Sequence, residues 1–186
     1  MNALARALVL SLPLFAAGCA QFTYQGTTEA VDFELEGRIA VRFRDEASSG
    51  GVSWRHRADG DEMLLTSPLG QGVARIVREE STVTLTTADA KVHSASDAET
   101  LTESVLGFRL PLGGLADWVR GRAAAGPSQS RLDAQGRLER LEQAGWVIDY
   151  LEYAGPMPSR LKLSYPGLEI RLAIGQWKQS VPHRVP

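Results

Sequence analysis

The sequence is short of the residues on which most catalytic sites are built. Of its 186 residues only Cys19 is a cysteine. No internal disulfide is possible, so in an exported chain the thiol would be free, intermolecular or modified. Histidine occurs three times, at His56, His93 and His183, and never at a metal-ligand spacing. There is no HExxH, no serine elbow and no phosphate-cradling glycine loop. Hydrolysis would need carboxylates brought together from distant strands, buried and facing a pocket. No catalytic residue, metal ligand or cofactor site is therefore expected. An excess of one charge is missing too: 20 basic against 22 acidic side chains leave a net −2, without the basic surface that nucleic acid calls for. No apolar run reaches the ~20 residues that cross a bilayer. A chain of this length suits one domain with a core that needs no covalent staple.

What is present begins at the front. Arg6 precedes an uncharged run, Ala7 to Gly18, which closes on Leu14-Phe15-Ala16-Ala17-Gly18-Cys19. A basic start, a short apolar middle and small residues at the cut make residues 1–18 a secretory signal peptide. The small residues before Cys19 resemble the lipobox of bacterial lipoproteins, with Ala16 where leucine is commonest. The resemblance implies a diacylglyceryl group on the Cys19 sulfur, cleavage before Cys19 and an N-acyl chain on the new terminus. Ala20 stands where aspartate would signal retention in the inner membrane, which implies the outer membrane. Several acyl chains on one residue anchor a protein stably. Residues 19–32 read as the lipidated terminus and tether, 33–179 as the domain and 180–186 as a flexible tail.

The domain reads as antiparallel strands. From Phe33 to Arg44, Phe33, Leu35, Ile39, Val41 and Phe43 share one face with Gly37, and Glu34, Glu36, Arg38, Arg42 and Arg44 share the other. Strict alternation gives one buried and one wet face, and glycine within it marks a bend or a close backbone approach. Asp45–Gly51 reads as a turn. Further strands are expected at 52–57, 62–66, 72–80, 81–87 and 91–95. Ser96 and Glu99 fit a capping box, with Leu101, Val105 and Phe108 at helical spacing behind it. A second short helix carries Leu115, Trp118 and Val119. Residues 123–129 read as a link, Pro156-Met157-Pro158 as a rigid break, and Pro166-Gly167 as the turn of a last hairpin with Leu168, Ile170, Leu172 and Ile174 on one face. A helical insert lying over such a sheet encloses an apolar space. One loop stands out: Ser67-Pro68-Leu69-Gly70-Gln71 has turn-forming proline and glycine but a leucine at its tip.

Several stretches resemble the LolB family of outer-membrane lipoproteins. They are Phe33-Glu34-Leu35-Glu36-Gly37-Arg38-Ile39-Ala40, Ser53-Trp54, Leu64-Leu65-Thr66-Ser67-Pro68-Leu69-Gly70 and Leu110-Pro111-Leu112 running to Leu115, Trp118 and Gly121. Gly145-Trp146-Val147-Ile148-Asp149-Tyr150, Ile170-Arg171-Leu172 and Trp177 complete the set. Their order and spacing cover nearly the whole domain. The resemblance implies a mainly β fold with a small helical insert, an incomplete antiparallel β-barrel whose apolar concave face is covered by short helices. It also implies an activity. A monomer takes triacylated lipoproteins from a LolA-type periplasmic carrier and inserts them among outer-membrane phospholipids, with no covalent bond changed. The loop Pro68, Leu69 and Gly70 corresponds to the loop with which relatives deliver cargo. Trp54, Trp118 and Trp146, with Ile39, Val41, Phe43, Ile148, Ile170 and Leu172, are candidates to line the acyl cavity; each is equally a candidate for plain core packing, and Trp177 reads as packing. A basic rim of Arg38, Arg42 and Arg44 is a candidate surface for the carrier. The rival reading is a lipid-anchored barrel for a small apolar ligand. The sequence predicts that Cys19→Ala abolishes incorporation of radiolabelled palmitate into the chain in growing cells; undiminished labelling would refute lipidation at this position.

Overall fold

The computed structural model describes residues 31–179; the signal peptide, Cys19 and the tail from residue 180 lie outside them. Among the described residues, eleven strands and two short helices follow one another. Six strands come first: β1 (Phe33–Phe43), β2 (Glu46–His56), β3 (Gly60–Thr66), β4 (Gly72–Glu79), β5 (Thr82–Thr87) and β6 (Val92–Ala95). The helices α1 (Ala98–Leu106) and α2 (Leu112–Trp118) interrupt them. Then come β7 (Ser128–Leu132), β8 (Leu138–Gln143), β9 (Trp146–Ala154), β10 (Met157–Tyr165) and β11 (Leu168–Gln179). All the strands join one antiparallel sheet in the order β6-β5-β4-β3-β2-β1-β11-β10-β9-β8-β7. The two edges, β6 and β7, do not pair with each other, so the barrel is incomplete, as the resemblance implies.

The alternation of β1 becomes the two faces of this sheet. Phe33 and Leu35 are buried, Ile39, Val41 and Phe43 half-buried, and Glu36, Arg38 and Arg42 exposed. β11 repeats the pattern with Leu168, Ile170, Leu172 and Ile174 inward. These inward residues form one core with the inner faces of β3, β4, β5, β8, β9 and β10 and with both helices. At Gly37 the β1–β11 register shifts, and a Cβ there would strike the Ala173 carbonyl oxygen. Only glycine permits that approach.

Three expectations are corrected. Residues 46–51 are not turn but the first half of β2, and the turn is confined to Arg44 and Asp45. The serines and glycines of Glu46-Ala47-Ser48-Ser49-Gly50-Gly51 have turn propensity, yet pairing with the whole of β1, out to Phe43 opposite Glu46, overrides it. The first helix is capped by Asp97 rather than Ser96: the Asp97 carboxylate accepts from the N–H groups of Glu99 at 3.3 Å and Thr100 at 2.8 Å. The rigid break shrinks to Gly155 and Pro156, and Pro158 lies inside β10. It is tolerated where the ladder is already irregular, at the register shift between Pro158 and Arg160.

Gly50 is as constrained as Gly37, since its Cβ would meet the Thr66 carbonyl oxygen. Gly113, in α2, has no atom within 4 Å of such a Cβ. Gly50→Ala should therefore lower the urea midpoint by the equivalent of about 1–3 kcal/mol. Gly113→Ala should be neutral or stabilising by up to ~1 kcal/mol. Equal midpoints for the two variants would contradict the close approach at Gly50.

Candidate functional site

The inner face of the sheet is not filled completely. Between β1, β2, β3 and β11 on one side and the helical segment on the other lies an apolar cavity of about 260 Å³. Of the residues singled out from the sequence, Ile39 and Val41 from β1, Trp54 from β2, and Ile170 and Leu172 from β11 line it. The opposite wall is Leu106, Phe108, Leu110, Leu115 and Val119, from α1, the connector and α2. Hydroxyls enter its lining only through Ser48, Ser49 and Thr66.

Four other candidates sit elsewhere. Trp118, Trp146 and Ile148 are buried in the core outside the cavity lining. The Trp118 indole N–H donates to Gln143 Oε1 at 2.8 Å, its ring lies 6.1 Å from that of Trp146, and its carbonyl accepts from the Tyr150 hydroxyl at 2.9 Å. Together these bonds fasten α2 to β8 and β9. Phe43 packs at the sheet's end against Phe108, ring centroids 6.3 Å apart. Trp177 donates to the Pro158 carbonyl at 3.0 Å and lies edge-on to Phe33.

Trp54 is held from behind. Its indole N–H donates to Asp61 Oδ1 at 2.8 Å. Asp61 is 1% exposed and pairs across β2 and β3 with His56, whose Nδ1 stands 2.7 Å from the same oxygen. Arg78 Nε donates to the other oxygen, also at 2.7 Å. Burial by itself would raise the Asp61 pKa; hydrogen bonding and charge from His56 and Arg78 outweigh it and hold the carboxyl below the usual aspartate range. Asp61 and its neighbour Glu62, the two buried carboxylates among the described residues, do not line the cavity. Both are spoken for by arginines, Glu62 by Arg75 at 2.7 Å. Neither faces the pocket, as a carboxylate in acid–base hydrolysis would. His56 alternates with Val52 and Trp54 on the apolar side of its strand, where a histidine needs a polar partner.

The Ser67–Gln71 loop joins β3 to β4. Gly70 N–H donates to the Ser67 carbonyl at 2.9 Å, closing a β-turn with Pro68 and Leu69 at its centre. Gly70 then takes a left-handed φ of 82°, and Ser67 N–H donates to the Gln71 carbonyl at 2.8 Å. The turn leaves Leu69 87% exposed. The strands on either side supply Leu65, Thr66, Val73 and Ala74 to the cavity. The exposed leucine thus stands on the hairpin that forms part of the cavity wall.

An open antiparallel half-barrel with an apolar pocket under two helices defines the class: a receptacle for apolar groups. A LolA superfamily protein from Nitrosomonas europaea shares the fold, with a TM-score of 0.52 at 11% identity, covering 86% of this chain and 89% of its own. A family described as "Outer membrane lipoprotein LolB" matches residues 31–177. The outer-membrane lipoprotein LolB of Thiobacillus denitrificans is 46% identical over 154 residues, 80% of each chain. That of Dechloromonas aromatica is 40% identical over 185 residues, covering 93% of this chain and 96% of its own. The chain belongs to the LolB family of outer-membrane lipoproteins. Among the described residues no helix is long and apolar enough to cross a membrane.

The ionised Asp61 stabilises the fold fully above the ordinary aspartate value of 3.8, and that stabilisation fades as pH falls below it through the lower folded value. Asp61→Asn should cost roughly 1–3 kcal/mol at neutral pH, and its deficit against the parent in urea denaturation should shrink as pH falls below about 4. A deficit independent of pH would show that the carboxylate charge is irrelevant there.

Proposed function

We propose that the chain accepts acylated lipoproteins from a LolA-type periplasmic carrier and passes them into the inner leaflet of the outer membrane, itself anchored there through lipids on Cys19. The observation that carries the reading is the exposure of Leu69 on a hairpin whose strands line the apolar cavity. A leucine so exposed on a Pro/Gly turn gains nothing in water. Moved into an acyl layer it contributes about 1.5–3 kcal/mol, which biases the loop toward a bilayer and still lets it leave. The cavity offers the cargo's acyl chains a surface nearly free of polar groups. Membership of the LolB family supports the same role. No covalent step is involved: acyl chains move from one apolar surface to another, down a gradient of affinity.

The cavity volume of about 260 Å³ lies slightly below the ~300–1,000 Å³ of ordinary ligand pockets. That favours a second reading, a small apolar ligand held without cargo transfer. One assay separates the two. The chain is mixed with carrier loaded with a labelled lipoprotein, and liposomes are added in a second step. Cargo should leave the carrier for the chain and then for the liposomes. Leu69→Glu should accept cargo as before but lose at least tenfold of the onward rate, in line with the insertion energy of one leucine. Cargo that stays on the carrier while the chain is folded would refute the proposal and leave the small-ligand reading.

A further inference from the structure

The outer face of the sheet, opposite the cavity, carries a feature that the cavity and the Leu69 loop do not account for. Across β2, β1, β11 and β10 the register places Ser49, Ala40, Arg171 and Lys162 in one row. The row on one side holds Gly51, Arg38, Ala173 and Arg160, and the row on the other holds Ala47, Arg42, Glu169 and Ser164. Long cations therefore ring a floor of small residues. Arg38 and Arg42 flank Ala40 along its own strand, and Arg171 stands opposite it. The floor leaves a hollow of about 610 Å³ bordered by Arg38, Arg160, Lys162 and Arg171. A second hollow of about 250 Å³ adjoins it, sharing Ala40, Ser49 and Arg171 and reaching Arg42.

The carboxylates of this face are already engaged. Glu152 pairs with Arg160 at 2.7 Å, Asp149 with Lys162 at 2.8 Å and Arg140 at 2.7 Å, and Glu169 with Arg171 at 2.9 Å. Among the described residues no carboxylate forms an ion pair with Arg38 or Arg42. The hollow also has an apolar border, since Leu151 from β9 lines it and is 55% exposed. Surplus guanidinium beside exposed hydrocarbon fits a ligand that is anionic and apolar within a few ångström. From this geometry we infer that the outer face binds the phosphate headgroups of anionic phospholipids, with Arg38 and Arg42 as the phosphate-facing side chains and Leu151 against the upper acyl region. An outer-membrane lipoprotein has such headgroups at hand throughout its life. The cavity opens on the opposite face, so the two surfaces serve at the same time.

The test uses the full chain with Cys19→Ala, so that no covalent lipid contributes. Sedimentation is measured with vesicles of pure phosphatidylcholine and with vesicles of equal parts phosphatidylglycerol and phosphatidylcholine. A basic side chain near an anionic surface contributes about fivefold. Arg38→Glu/Arg42→Glu should thus bind the mixed vesicles at least tenfold more weakly and the neutral vesicles unchanged. The preference of the parent should fade in high salt. Both arginines are exposed, so circular dichroism should show the double variant folded. Arg131→Glu, an exposed cation on edge strand β7, reports the effect of net charge alone. An equal loss with Arg131→Glu, or no preference for the mixed vesicles in the parent, would overturn the inference. So would a double variant that keeps its preference for the mixed vesicles and loses instead the binding of an acidic polypeptide such as polyglutamate. Cargo uptake from the carrier is read separately on the same proteins, so failure of transfer and failure of lipid binding are distinct results.

Discussion

Everything in this fold hangs on the pairing of the first strand with the last. β1 and β11 run antiparallel through eleven registered pairs, from Phe33 with Gln179 to Phe43 with Leu168. To one side lies a meander of five more strands, to the other a meander of four. Neither lines the cavity alone, because the lining takes Trp54 and Met63 from one and Leu163 from the other, with Ile170 from β11 between them. The chain must therefore close a loop of well over a hundred residues before the cavity exists. That dependence on non-local pairing is the signature of slow-folding β architectures.

An apolar hollow is a cost that the rest of the molecule has to carry. At ~24 cal/mol per Å³, 260 Å³ corresponds to about 6 kcal/mol if the space were sealed and empty. The wall resists collapse because its large side chains are tied from behind. Trp54 cannot swing inward without taking its indole N–H away from Asp61, which His56 and Arg78 hold in place. α2 cannot drop into the space without breaking the bonds that Gln143 and Tyr150 make to Trp118. The polar network thus lies outside the cavity and keeps it open, and filling the hollow with hydrocarbon recovers part of its cost.

The faces of the sheet were legible because period two is a local property. Phe33, Leu35 and Ile39 announce an inner face from their spacing alone, as do Leu168, Ile170 and Leu172. What spacing does not carry is what stands opposite an inward side chain. Trp54 and Trp118 look alike in sequence, yet one borders empty space and the other fills the core. That difference is decided by residues far along the chain: Val119 and Leu115 leave room over Trp54, and Gln143 closes over Trp118. The second half of the error is composition. Ser48, Ser49 and Gly50 read as a turn because their local preference is for one, and only β1 beside them makes them strand. The Leu69 turn was legible from Pro68 and Gly70, whereas its exposure was not.

The antiparallel register also fixes which ends of the barrel the N-terminal entry of the domain and the Leu69 turn occupy. Phe33 pairs with His56, beside the turn that joins β2 to β3, and Leu69 lies beyond the far end of β3. Seven strand residues at about 3.3 Å each put roughly 23 Å of sheet between them. Cys19 stands fourteen residues before Phe33, a stretch that reaches at most ~50 Å. In the proposed transfer, lipids on Cys19 enter the leaflet at one end and Leu69 the same leaflet at the other, so the domain would have to lie down on the membrane or turn over between the two contacts. The number of residues between Cys19 and Phe33 would then decide, more than their identity, which postures the domain can adopt.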